Sequence, residues 1–237
     1  MKTFSLLTGL AATEAWAKPL IEINPGKAGE TVSIPMQVII LLTVLTVLPA
    51  VLVSLTPFLR IVIVLHFLRQ AIGTQSTPSN QVLTGLALFL SLLLVQPLAT
   101  EVYQTAWTPL EKGEINGSEA WQRSQPPIRK FLLRYAREKD LKLFVEVTKT
   151  PPPRKAEEID LMVLAPAYIL SELKAGFQIG AVLFLPFLIV DLVIASVTLA
   201  VGMVQLPPAL ISAPFKIMLF VLMDGWNLLI GSLVKSF

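Results

Sequence analysis

PAYILSELKAGFQIGAVLFLPFLIVD, residues 166–191, decides how the rest of the chain is read. Glu172 and Lys174 form a compact charged cluster beside Gly176 and Phe177. A long apolar helix follows, with Pro186 inside it and an acid, Asp191, near its middle. A charge in an apolar membrane helix is costly unless it is paired or wet. The stretch therefore reads as a junction between a polar domain before it and a helical hairpin after it.

Working outward, the 237 residues are 54% hydrophobic with a mean hydropathy of +0.70. Soluble domains lie nearer 45–50% apolar, so the composition leans to the membrane class. Charge is concentrated: residues 104–160 hold 11 of the 19 Lys+Arg and 9 of the 16 Asp+Glu. A net charge of +3, spread out, gives no nucleic-acid signal. The absence of cysteine excludes disulfides, thiolate metal sites and a Cys nucleophile.

Four apolar runs flank the polar segment. Residues 34–59 carry no charge and are long enough to span. Pro49 and Pro57 lie inside that run, so kinks or a break are expected there. Residues 70–80 form a turn, and residues 81–100 are again uncharged, which completes a first antiparallel hairpin over 34–103. Residues 104–160 read as a small, mostly helical extracytoplasmic domain. Its amphipathic helix is expected over Ile128–Phe144, and a proline-rich linker, TKTPPPRKAEE, follows. An approach helix over Leu161–Leu173, a third apolar run over Gly176–Val201, a GMVQLPP turn and a fourth run over Ala209–Val234 make the second hairpin, 161–237. The fold class is all-α, with membrane-inserted hairpins flanking the polar domain.

Residues 1–17 fit a signal peptide: Lys2 as a positive start, an apolar core of about nine residues, and Ala15-Trp16-Ala17 as a cleavage site. Residues 18–33, rich in Pro and Gly, read as an extended leader. A cleaved signal places the polar domain and the C-terminus outside, with Arg60 and Arg69 near the inner end of the first hairpin.

No catalytic constellation is present. His66 is the only histidine, and no nucleophile elbow, zincin motif or phosphate loop occurs. The chain reads as a non-enzyme without cofactor or metal. The intramembrane charges Arg60, Arg69, Asp191, Lys216 and Asp224 carry more information. They admit a proton or ion relay, as in a secondary transporter or channel, or an assembly role in which each charge is paired. Candidate pairs are Lys216 with Glu172 or Asp191, and Arg60 with Asp224 or a partner chain. The GMVQLPP turn could serve as a deformable apolar seal or as an ordinary turn.

The segments PAYILSELKAGFQIG, PFLIVDLVIASV, PFKIMLFVLMDGWNLLIGSL, RIVIVLHFLRQAIGT and PSNQVLTGLALFL resemble, in order, those of the FliP family of flagellar type III secretion export-gate proteins, whose virulence counterpart is SctR. The resemblance implies a pentameric homo-oligomer that joins FliQ and FliR in a helical pore. It also implies contact with FlhB, FlhA and rod proteins, and passage of unfolded flagellar subunits. The implied location is the bacterial inner membrane within the flagellar basal body, with the assembled gate lifted largely to the periplasmic level. By position, Glu172 and Lys216 are implied as an inter-subunit ion pair, and Phe131 and Phe144 as assembly contacts. Met203, Val204 and Leu206 fall on the family's gate loop, where one methionine stands in place of several. The signal peptide favours the flagellar branch over a virulence injectisome.

Overall fold

A long charge-free run can satisfy its own backbone hydrogen bonds in an apolar setting by coiling into a helix, and the described runs of this chain do so. The computed structural model describes residues 34–74, 76–148, 158–203 and 207–237. The expected signal peptide, leader, most of the proline-rich linker, and Val204 and Leu206 of the expected gate loop lie outside the described residues. Among the described residues every element is helical: α1 Ile34–Ser54, α2 Phe58–Ile72, α3 Asn80–Val102, α4 Thr108–Glu111, α5 Gly117–Tyr135, α6 Glu138–Val147, α7 Leu161–Ala200, α8 Pro208–Leu222 and α9 Gly225–Lys235. A short π-helical turn, Tyr103–Trp107, joins α3 to α4.

The chain divides at Pro49/Ala50 into two units. In the first, the apolar side chains of α1 from Val38 to Leu48 are exposed in every direction. Of the two prolines expected to disturb this run, Pro49 is accommodated within α1, whereas Pro57 stands at the break before α2.

In the second unit α2 is the central element. It packs most extensively on α7, and also on α3 and α8. Ile61, Val64 and Leu65 meet Leu83 and Ala87 of α3 and Leu233 of α9. One turn on, Leu68, Ala71 and Ile72 meet Phe187 of α7 and Phe220 of α8. The spacing 61, 64, 65, 68, 71, 72 is the i, i+3, i+4 stripe of a helix with one buried face. Ser79 caps α3 by accepting from the Val82 N–H, Asp160 caps α7 by accepting from the Met162 N–H, and Asn116 caps α5 through the Glu119 N–H.

Two sequence expectations are corrected. The amphipathic helix over Ile128–Phe144 is two helices, because Ala136 (ψ 128°) and Arg137 (ψ 139°) are extended. The break lets the Arg137 N–H donate to Ser171 Oγ at 2.9 Å, and it places Glu138 and Asp140 in the first turn of α6, where acids suit the helix dipole. The approach helix and third apolar run are one 40-residue helix, α7. Only Lys174 and Ala175 separate the two segments, and both are good helix formers. Gly176 and Gly180 do not end it; they let α2 approach. A Cβ on Gly176 would lie 3.1 Å from Ile63, and one on Gly180 would lie 2.5 Å from the Phe67 ring.

Among the described residues two helical stretches, Asn80–Glu111 and Leu161–Ala200, are long and apolar enough to cross a membrane, and up to four spans result if each broken helix pair counts as one. The fourth run is such a pair: α8 and α9 meet at 66°, with Asp224 in the left-handed region (φ 49°) at the corner.

Candidate functional site: charge nodes between helices

Among the described residues, three charge nodes, each with at least one buried ion, staple the helices of the second unit, and each is built on α7. The first surrounds Arg60, in the first turn of α2. Its Nε donates to Glu172 Oε2 at 2.9 Å, and its Nη2 donates to Glu172 Oε1. Both side chains are almost fully buried, 8% exposed for Arg60 and 0% for Glu172. The remaining guanidinium nitrogen reaches the Ser236 carbonyl oxygen at 3.3 Å and Ser236 Oγ at 3.2 Å. The Phe237 ring covers the guanidinium at 3.9 Å from its centroid, with Tyr135 at 5.8 Å. Tyr135 in turn donates to the Phe237 carbonyl oxygen at 2.5 Å. One planar cation thus ties α2, α5, α7 and the end of α9 together, a task that needs arginine's fork of donors. Tyr168, one turn before Glu172, is fully buried, and its hydroxyl has no partner among the described residues.

The second node clamps α6 onto α7. Asp140 is 1% exposed. It accepts from Ser171 Oγ at 2.8 Å and from the Lys174 ammonium. Arg137 adds a hydrogen bond to Gln178 at 2.6 Å. Burial pushes the Asp140 carboxyl up, but the bonds from Lys174 and Ser171 and the charges of Lys174 and Arg137 outweigh it. The carboxyl is held below the usual aspartate range.

The third node joins α7 to α8. Asp191 accepts from Ser212 Oγ at 2.5 Å and from Lys216 Nζ at 2.6 Å. The pair is lopsided: the Lys216 side chain is 7% exposed and that of Asp191 41%.

These contacts place the sequence-expected residues as follows. Arg60 pairs with Glu172, not with Asp224; Asp224 instead accepts from Asn227 at 3.1 Å beside the α8–α9 corner. Lys216 pairs with Asp191, the second of its two expected partners. Within the chain, Glu172 is compensated by Arg60 and Lys216 by Asp191. Arg69 secures the first hairpin's turn by donating to the Pro78 carbonyl at 3.2 Å and to Asn80 Oδ1 at 2.6 Å. His66 Nδ1 sits 2.8 Å from the Val62 carbonyl oxygen, within its own helix.

Phe131 and Phe144 pack around the Leu132–Leu164–Tyr168 cluster. Phe131 lies 5.3 Å from the Tyr135 ring and 6.2 Å from that of Tyr168. The stripe on α5 therefore has a partner in the first half of α7. Phe131 also lines an apolar groove of about 370 Å³ with Leu52, Val95, Leu98, Tyr103 and Trp107. Met203 follows Gly202 (φ 79°) at the end of α7 and is 44% exposed. Among the described residues no group of three or more metal-ligating side chains occurs.

The sequence signals that a lone charge in an apolar run needs a partner, but not that Glu172 answers Arg60 from 112 positions away. The Phe237 cover and the Asp140–Lys174 bond carry no sequence signal at all.

Residues 41–233 match the FliP family. The chain is 47% identical over 238 residues to the flagellar biosynthetic protein FliP of Pectobacterium carotovorum subsp. carotovorum, covering 99% of this chain and 92% of that one. It is 48% identical over 217 residues to the protein of that name from Bacillus subtilis (strain 168), covering 92% and 98%. The Rhizobium meliloti (strain 1021) protein is 40% identical over 233 residues, covering 98% and 94%. With the match running from α1 into α9, the chain belongs to the FliP family.

Proposed function

We propose that the protein is a core subunit of the flagellar type III export gate, forming part of the conduit through which unfolded flagellar proteins leave the cytoplasm. The observation that carries this reading is the family match across residues 41–233, together with full-length relatives named flagellar biosynthetic proteins. The physical design supports it. Phe89, Leu92 and Leu93 of α3 are 60–74% exposed, and so are Val182, Ile189, Leu192 and Leu199 of α7. A soluble monomer rarely presents so much apolar surface, so these faces belong against lipid or other chains. Of the charge nodes among the described residues, two meanwhile hold α7 to α2, α5 and α6, and the third holds α7 to α8, giving a prefabricated subunit.

In this reading several copies, five by resemblance, assemble with FliQ and FliR in the inner membrane of the basal body. The assembly meets FlhB and FlhA below and rod proteins above. The Met203–Leu206 loop constricts the passage, Phe131 and Phe144 contribute to the subunit interface, and, by the resemblance, Glu172 and Lys216 pair between neighbouring copies. A transporter that relays protons through Asp191 and Asp224 is disfavoured, because Asp191 is committed to Lys216. The test is complementation of motility in a deletion strain, with purification from detergent. Swimming should return, and the chain should co-elute with FliQ and FliR as one assembly. Restored transport of small solutes without motility would overturn the reading.

A further inference from the structure

Two unlike surfaces lie on opposite sides of α5. Ile128 and Leu132 line the apolar groove with Tyr103 and Trp107. Lys130 and Arg134 each stand two residues further along, about 200° round the helix, and both are exposed. Among the described residues no carboxylate pairs with either cation; Arg134 lies 5.5 Å from the ring of its neighbour Tyr135. Residues 129–142 hold six cations and two acids. On the groove side the balance reverses, and residues 101–119 hold four acids and one cation. Tyr103 and Trp107 are each 53% exposed, and Trp121, two turns before Ile128 on the same face, is 58% exposed. The Trp107 indole donates to Glu111 Oε1 at 2.7 Å. That bond holds an aromatic face beside a carboxylate, a pairing that suits a lysine or arginine.

Each surface is complementary to the other, in charge and in cation–π chemistry, but α5 stands between them, so one copy cannot bring them together. Resting on the assembly reading above, we propose that they meet between copies: the Lys130–Arg134 face of one chain docks on the Trp107–Glu111 face of a second copy. The contact is heterologous, since every copy uses both surfaces, and repetition of such a contact closes into a ring when its rotation permits. Exposed ion pairs contribute little singly, so burial of the half-exposed rings supplies the adhesion. The charges fix direction, because the reversed approach sets cation against cation and acid against acid.

The chain contains no cysteine, so introduced thiols report without background. Lys112→Cys sits beside Glu111, and Pro126→Cys lies one turn before Lys130 on its face; both positions are exposed. The full chain carrying both is co-expressed with FliQ and FliR, and the purified complex is oxidised. It should give a ladder of covalent oligomers longer than two, because each copy links to both neighbours. Either single variant alone should give no covalent dimer, and the two singles co-expressed should give dimers only. Lys130→Glu with Arg134→Glu, on an exposed face, should leave the thermal midpoint unchanged and cut the ladder several-fold. Lys130→Arg with Arg134→Lys should keep it. A ladder undiminished by the charge reversal would overturn the proposal, as would Pro126→Cys copies that link to each other or to a different polypeptide. An oligomeric complex that yields no ladder would overturn it while leaving the assembly reading standing. A wild-type chain that purifies as a monomer, without FliQ and FliR, would overturn both.

Discussion

At the residue scale the decisive object is the Arg60 guanidinium, which holds Glu172 in a two-pronged bond and carries the Phe237 ring on its face. Removing one member of a buried pair costs roughly 3–5 kcal/mol, because the other ion is left uncompensated. Glu172→Ala should therefore lower the thermal midpoint of the detergent-solubilised protein sharply. Arg60→Met with Glu172→Leu should recover most of the loss, since no ion remains to strand. A double variant as unstable as the single would mean that Arg60 matters through Ser236 and Phe237 and not through Glu172. The sequence exposes only half of this object. Lone charges in apolar runs announce that partners exist, and Lys216 with Asp191 is within reach because both sit on one hairpin, 25 positions apart. Arg60 and Glu172 belong to different hairpins, and only the packing of α2 on α7 brings them together.

At the scale of elements, the packing of α2 on α7 turns on small residues that the sequence displays without naming their neighbours. Gly180 offers the clearest case, because a Cβ there would lie 2.5 Å from Cγ and 2.9 Å from Cβ of Phe67. Those atoms sit at the base of the ring and cannot swing away as the tip of a long chain would. Gly180→Ala gains helix propensity of about 1 kcal/mol but forces overpacking of typically 1–3 kcal/mol. The variant should be destabilised, and Phe67→Ala in the same background should relieve the clash in part. Gly85→Ala, on the open side of α3 where nothing lies within 4 Å, is the control and should be neutral or stabilising. Unfolding monitored by circular dichroism checks all three; a stabilised Gly180→Ala would show that α2 and α7 are farther apart than described. Helix identity was legible from the apolar runs. Helix ends were less so: the break at Ala136–Arg137 is set by a bond to Ser171 on α7, and local periodicity carries no trace of it.

For the whole molecule, the hairpins carry internal charge compensation and leave broad apolar faces outside, so the fold is half of a larger packing problem. The all-helical class follows from the sequence, because hydropathy and length constrain spans directly. What each face meets does not, because lipid and a neighbouring apolar helix look alike to a hydropathy pattern. In the proposed gate, the tip of the α7–α8 hairpin bears on function most directly. α7 ends at Ala200, Gly202 turns the chain with φ 79°, and Met203 stands 44% exposed beyond it. Copies related by rotation would bring these tips to a common axis. A flexible methionine with apolar neighbours can close around nothing and reopen around a passing chain without losing fixed hydrogen bonds, and a narrow apolar ring resists ions by dewetting. Deleting Met203 to Gln205 should leave assembly largely intact, because α7 and α8 remain joined by the Asp191–Lys216–Ser212 node below the tip. It should raise small-ion conductance across the membrane of expressing cells and sensitise them to small toxic solutes, while export continues. An assembled, export-competent gate with no added leak would return the loop to an ordinary turn fixed by Gly202 and Pro207-Pro208.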